Sequence, residues 1–381
     1  MTAVQPAIGG EAAAVADPTD ATGATGATGE LLTAANEEAA LEWLHANRCT
    51  DGLPVVIPTP ERVERMVLAS GLDGDLSLGT MGPGGGDATV AKVATNAVMA
   101  GATPDHLPVI LAAVTAVLQP EFDLGEMQST THCTAPLIIV NGRARRWAQV
   151  ASGSGALGPG HRANASIGRA VRLTMINVGM ARPGESDMAL LGHPGKFTYC
   201  LAEAEESSPW EPQHVDRGYR PDQSAVTVVG AEPPHSVIFS GDADDPDSAE
   251  RLLATLAAVL ANVGSNNAHF RCGAQTVVLN PEHATVLAAA GLDRRQIRER
   301  LTELAVNPTD RIAALNPTFA GRAGQATEFR AVRDPDDLVI LVAGGSGLYS
   351  AVMPSWAAGA HHNPIVHAEV ALDQACEVPL R

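Results

Sequence analysis

Cys133-Thr-Ala-Pro-Leu-Ile-Ile-Val-Asn141-Gly142 and Cys272-Gly-Ala-Gln-Thr-Val-Val-Leu-Asn280-Pro281 share one pattern, a cysteine, an apolar run and an asparagine at a turn. Each follows an apolar helix pattern, Leu111-Ala-Ala-Val-Thr-Ala-Val-Leu118 before the first and Leu253-Ala-Thr-Leu-Ala-Ala-Val-Leu260 before the second. Further upstream, Gly82-Pro83-Gly84 leads into a small-residue helix from Thr89 to Met99, and Gly158-Pro159-Gly160 leads into one from Ser166. The repetition predicts an internally duplicated body. The runs Pro136 to Val140, Thr276 to Leu279 and Leu338 to Val342 are apolar without alternation, which suits strands covered on both faces. Because they alternate with helices, the expected class is α/β, with duplicated or triplicated αβ units around a largely parallel or mixed sheet.

The boundaries follow from composition. Residues 1–35 are rich in Ala, Thr and Gly and have too little apolar bulk to offset ordering entropy, so a disordered tail is expected. Residues 36–74 form an N-terminal helical segment, in which Thr59-Pro60-Glu61 is a helix start with proline in the first turn. The first αβ repeat spans 75–150. The second spans 151–290 and carries an insertion at about 185–240. A degenerate third unit spans 291–360 and includes the glycine turn Gly344 to Gly347, and 361–381 reads as a C-terminal arm.

Bulk chemistry narrows the function classes. Hydrophobic residues at 45% support a substantial core, while aromatics at 3% leave its packing to Ala, Val and Leu. A net charge of -18 opposes binding to nucleic acid or to anionic membrane. No apolar run approaches the ~18 residues of a membrane span, and Met1-Thr-Ala-Val lacks a basic start and an apolar run, so no secretory signal is expected. Five widely spaced cysteines fit free thiols in a reducing cytoplasm. Ala-rich helices suit close packing between subunits, so a homo-oligomer is expected.

Candidate site residues come from four places. The glycine turns, Gly82 and Gly84 with Lys92, and Gly158 and Gly160 with Arg162, Asn164, Ser166 and Arg169, place open amides and a cation at a helix start, which favours an anion. Read blandly, they are tight turns with Thr89 and Ser166 as caps. The turn at Gly345 and Ser346 resembles a phosphate loop but lacks a following lysine. No NAD, FAD or ATP motif is present.

Cys133 beside His132, and Cys272 near His269, offer a nucleophile or ligands for a divalent metal, the alternative being small buried cysteines. The insertion supplies His193, Lys196, Glu203 and Glu205, and the two glutamates share a face if that segment is extended. The leading expectation is an enzyme that acts on a small carboxylate- or phosphate-bearing metabolite by hydrolysis or elimination, in a cleft where the glycine turns meet. Cys133 is the nucleophile, and His161, Lys196, Glu203 or Glu205 move protons. A non-catalytic binding or assembly protein and a metal-dependent Cys/His enzyme are the alternatives.

At Asp51-Gly-Leu-Pro-Val-Val56, Pro58-Thr-Pro-Glu-Arg-Val63, Gly158-Pro-Gly-His-Arg-Ala-Asn-Ala-Ser-Ile-Gly-Arg-Ala170, Pro194-Gly-Lys-Phe-Thr198 and Glu205-Glu-Ser-Ser-Pro-Trp210 the chain resembles a bacterial family associated with the UGSC (seleno)proteins. Members of that family are sometimes labelled thiol-disulfide oxidoreductases, and the resemblance covers about 45–355. The chain departs from the family's Cys-Gly-Ser-Cys pattern, its nearest stretch being Cys272-Gly273-Ala274-Gln275, and it holds no CxxC. A dithiol cycle within one chain is therefore not expected.

Overall fold

The computed structural model describes residues 31–242, 244–320 and 326–371. Most of the expected N-terminal tail and the end of the C-terminal arm, residues 1–30 and 372–381, lie outside the described residues. The chain opens with the helices Glu37–Ala46 and Pro60–Ser70. The second begins with proline after an extended Thr59, as its sequence predicts, and stops at Gly71, whose φ of 68° favours glycine. An antiparallel hairpin of β1 (Ser77–Met81) and β2 (Gly86–Thr89) then leads into the helix Val90–Met99. Thr89 caps that helix, its hydroxyl accepting from the Lys92 amide at 3.3 Å.

Two four-stranded sheets form the body. The first has the order β12 (Val366–Glu369), β5 (Ala225–Ala231), β3 (Ala135–Asn141), β4 (Cys200–Ala202). In it β3 and β4 are parallel, whereas β5 is antiparallel to both β3 and β12. The second has the order β10 (Leu338–Val342), β7 (Gln275–Leu279), β11 (Tyr349–Met353), β6 (His235–Ile238), with β7 and β10 parallel and β11 antiparallel to both β7 and β6. A small antiparallel pair, β8 (Val306–Pro308) and β9 (Glu328–Arg330), stands apart.

The single, largely parallel sheet expected from the apolar runs is thus replaced by two mixed sheets. The physical reason lies in the connections. A parallel pair needs a long crossover, and β3 reaches β4 through the helix Arg162–Asn177, as β7 reaches β10 through Arg294–Leu304. The other neighbouring pairs, β3 with β5, β5 with β12, β7 with β11 and β11 with β6, are antiparallel.

Alternating side chains arrange these sheets as two inner layers. Leu137, Ile139, Val229 and Ala231 of the first sheet pack against Val278, Val339, Leu341 and Met353 of the second. Ile138, Val140, Val226 and Val228 face the opposite way, into a core with the helices Val90–Met99, Leu107–Val117 and Arg162–Asn177. Val277, Leu279, Leu338, Ile340 and Val352 likewise face the helices Ser248–Leu260 and Arg294–Leu304. The architecture is helix, sheet, sheet, helix, and both faces of β3, β5, β7 and β10 are dry, which is why the strands β3, β7 and β10 read as unbroken apolar runs. Leu107–Val117 is buried on all sides except at Thr115, so it is a core helix rather than a surface one. Among the described residues no single helix is long and apolar enough to cross a membrane.

Two sequence boundaries change. Leu338–Val342 lies beside β7, so 291–360 completes the second sheet instead of forming a unit of its own. Val366–Glu369, in the expected arm, is the edge strand β12.

The halves also interlock. β6 follows β5 in sequence but joins the second sheet, and β12 follows β11 but joins the first. Cleaving the chain between Gly241 and Asp242 should therefore yield two pieces that copurify, neither unfolding cooperatively alone. Separate cooperative urea transitions for the isolated pieces would contradict the interlock.

Candidate functional site

The glycine turns do not share a cleft. Gly84 donates its amide to Gly179 at 2.8 Å, beyond the C-terminal end of the helix Arg162–Asn177, whereas Gly158 and Gly160 precede that helix. Sixteen residues of helix, about 24 Å, separate the two turns. The Gly158 loop meets the turn at Gly345 instead: the Gly344 amide donates to Ser152 O at 2.8 Å, and a Cβ at Gly345 would lie 2.2 Å from Ser154 Oγ. Ser346 is exposed on that turn.

The cations assigned to these turns are engaged elsewhere. Lys92 Nζ donates to Asp87 O at 2.9 Å. Arg162 donates to Gly101 O from Nε and Nη2. Arg169 makes a bidentate pair with Asp51 at 2.7 and 2.8 Å and reaches Pro54 O, fastening the Asp51-Gly-Leu-Pro motif to the body. Asn164 is buried and staples the loop through Ala151 and Ala156, while Ser166 is buried within the helix. His161 reaches Ser154 O at 3.3 Å. These residues build the loop, and they do so by specific contacts.

Glu203 and Glu205 belong to a buried ion network rather than to an acid/base pair. Glu203 follows β4, is fully buried, and pairs with Arg294 through one oxygen. Its other oxygen accepts from Asn141 Nδ2 at 2.6 Å and from the Gln213 amide at 2.7 Å. Glu205 accepts from the Gly142 amide at 2.7 Å and from Arg145 at 2.7 Å. Arg145 and Arg146 hold the neighbouring Glu206 down at about 2. The arginines that neutralise these carboxylates lie 60 to 91 residues away in sequence, so the pairing is invisible locally.

Metal ligation by His132, Cys133, His269 and Cys272 is not assembled. His269 Nε2 contacts Val263 O at 2.8 Å, Cys272 Sγ points to Ala357 O, and among the described residues no group of three or more His, Cys, Asp or Glu is placed to hold a metal ion.

Cys133 and Lys196, in contrast, come within electrostatic reach of each other, and Lys196 and His132 each gather partners that the sequence did not reveal. A narrow crevice lies between the start of β3, the helix Arg162–Asn177 and the turn Pro194–Lys196, lined by Gln128, Thr134, Arg172, Lys196 and Tyr199 among others. As it stands it admits no more than a water-sized guest. Lys196 Nζ bonds Asp187 Oδ1 at 2.7 Å, and Arg172 bonds the other Asp187 oxygen at 2.6 Å and Gln128 Oε1 at 2.9 Å. Gly168 makes this approach feasible, because a Cβ there would lie 2.4 Å from Thr198 Oγ1.

His132 and Cys133 immediately precede Thr134. His132 Nε2 lies 3.0 Å from Glu232 Oε1, and His132 Nδ1 is buried without a hydrogen-bond partner among the described residues. Glu232 directly follows β5, across the ladder from the start of β3, and its carbonyl accepts from Tyr199 Oη at 2.9 Å.

The electrostatics are specific. Burial and the Glu232 carboxylate raise the Cys133 thiol, with Lys196 opposing, so the group is a thiol at neutral pH. Burial lowers the Lys196 ammonium against the pull of Asp187. Asp187 is itself pushed up by burial, yet Arg172 and Lys196 hold it below the ordinary carboxylate value. Burial and Lys196 bring His193 down to about 4, so it is neutral.

No family model, curated protein or solved structure matches the chain.

Proposed function

We propose that the chain is an enzyme that moves protons on a small anionic metabolite at the Lys196 crevice, by elimination in preference to hydrolysis. The observation that carries this reading is His132: with Nε2–H donated to Glu232, the lone pair falls on Nδ1, the buried nitrogen that has no partner among the described residues. Lys196 and Arg172, two cations against the one carboxylate of Asp187, favour an anionic group beside it. Displacement of the 188–195 loop is what admits the substrate.

In the elimination, His132 Nδ1 takes a proton from the carbon next to the substrate's anionic group. The electron pair forms a carbon–carbon double bond, and the leaving group departs with the proton of the Cys133 thiol. Proton return from the His132 imidazolium restores the thiol. Nucleophilic hydrolysis is the weaker reading because burial and Glu232 keep Cys133 protonated.

Hydrogen-to-deuterium exchange at the carbon beside the carboxylate, followed by NMR in D2O with a panel of 2-hydroxy and 2-amino dicarboxylates, tests it. His132→Gln should slow exchange by about 10²-fold or more, and Lys196→Ala should act mainly through KM. Exchange at the wild-type rate in both variants would remove the proposal. A non-catalytic binding protein, the second reading, predicts ligand affinity that depends on Lys196 with no exchange at all.

The same reading extends to the origin of the body, two copies of one αβ unit that have exchanged their last strands. Its support is the matching order of pairings in the two sheets, with Leu107–Val117 opposite Ser248–Leu260 and β3 opposite β7. The glycine turns at Gly82 and Gly158 do not correspond in that register. Free Cys49, Cys133, Cys200 and Cys272 suit a reducing compartment such as the cytoplasm. The resemblance to the UGSC-associated family adds no reaction to this assignment.

A further inference from the structure

The loop between Asp187 and Lys196 carries the two most exposed large apolar side chains among the described residues, Leu190 at 85% and Leu191 at 92%. Met188 and Phe197, at its two ends, are also exposed. Scattered surface leucines need no explanation, but adjacent ones on a loop tied to a charged crevice do. The tie is made through the main chain. Met188 N donates to Gln128 O at 3.2 Å, and Leu190 N donates to Thr131 O at 3.0 Å, one residue before His132. The Asp187 to Lys196 ion pair closes the neck of the loop. Gln128 and Lys196 both line the crevice, so the apolar loop is anchored at its rim.

A ligand complementary to both features carries a negative charge for Lys196 and Arg172 and an apolar group for the rim. We propose that the crevice takes an amphipathic carboxylate, its anionic end at Lys196 and Arg172 and its hydrocarbon part against Leu190 and Leu191. This rests on the anionic substrate assigned above and adds its class.

Calorimetric titration of the full chain with acetate, hexanoate and hexanol tests it. Each buried methylene contributes roughly fourfold in affinity, so hexanoate should bind at least about tenfold tighter than acetate. Leu190→Ser/Leu191→Ser, changes at exposed positions, should remove that difference, and Lys196→Ala should weaken both carboxylates. Equal affinities for acetate and hexanoate in the wild type would overturn the apolar class while leaving the anion site standing. Hexanol binding as well as hexanoate would overturn the anion site itself, and absence of binding by either carboxylate would overturn both. A double variant that turns a dimer into a monomer while keeping its preference for hexanoate would assign the leucines to a second copy of the chain and overturn the proposal.

Discussion

Replacing Glu203 by alanine is expected to lower the free energy of unfolding by about 3–5 kcal/mol, the cost of leaving one member of a buried ion pair uncompensated. Glu203 is fully buried and Arg294 is nearly so, at 3% exposure, which leaves little water to solvate the orphaned guanidinium. The carboxylate also accepts from Asn141 Nδ2 and the Gln213 amide, so its removal strands the Gln213 amide and leaves Asn141 Nδ2 with only Glu205 Oε1 at 3.1 Å. Arg294 has one remaining strong acceptor, the Ile340 carbonyl at the centre of β10, and that contact cannot neutralise it. The double variant Glu203→Leu/Arg294→Met should recover a large part of the loss, because removing both charges removes the desolvation term. Urea unfolding of the two variants decides the matter, and a loss under about 1 kcal/mol in Glu203→Ala would show that water reaches the pair. Deuterium exchange per folded molecule should be unchanged by either variant, which separates this network from the crevice.

That separation marks where the sequence stopped being readable. Glu203 and Glu205 carry the right groups for acid/base work, and a reading confined to their neighbourhood sees two carboxylates and no cation. The compensating Arg145 and Arg294 arrive from other elements. The same limit explains why Cys133, His132 and Lys196 could be named as candidates from the sequence and Asp187, Arg172, Gln128 and Glu232 could not. The first three stand out by residue type or beside glycine and proline, whereas the others meet Lys196 or His132, directly or through one another, only when the helix Arg162–Asn177 and the end of β5 are folded against them. One local signal for Asp187 was present: it begins the loop that Lys196 closes nine residues later.

For the fold, β3, β7 and β10 announced themselves because both their faces are dry. Ala225–Ala231 is equally buried but lay in a stretch read as an insertion, and its partner β12 is contributed from beyond residue 365. The repeated Gly-Pro-Gly turns misled for a related reason, since similar turns serve a hairpin in one place and a helix entry in the other.

The second large effect expected is acid destabilisation between pH 6.5 and 4, most of it above the range in which carboxylates titrate. His106, His193 and His367 are each lowered to about 4, chiefly by burial. The sign follows from the two end states. The unfolded chain takes up a proton on each histidine near 6.5 and the folded chain near 4, so between these values the unfolded state binds more protons and stability falls as pH falls. Below about 4 both states are protonated and this contribution levels off.

A shift of that size, if fully expressed, corresponds to roughly 3 kcal/mol for one histidine. His106 is buried, its Nδ1 accepts from the Thr103 amide at 3.2 Å, and the Arg162 guanidinium adds repulsion, so protonation breaks a turn contact and buries a charge. His367 is the strand β12 residue whose Nδ1 lies 2.9 Å from Thr227 Oγ1 of β5, with Arg217 adding the same repulsion, so its protonation acts on the strand that locks the two halves together. Asp187, held below 3.8, loses its contribution only as the pH falls through and below that value, which places its effect after the histidines. Urea midpoints measured from pH 7 to 4 should fall steadily, and His106→Gln should flatten the slope. Imidazole NMR titrations showing all three groups with midpoints near 6.5 in the folded protein would exclude this account, because each would then bind its proton equally in both states.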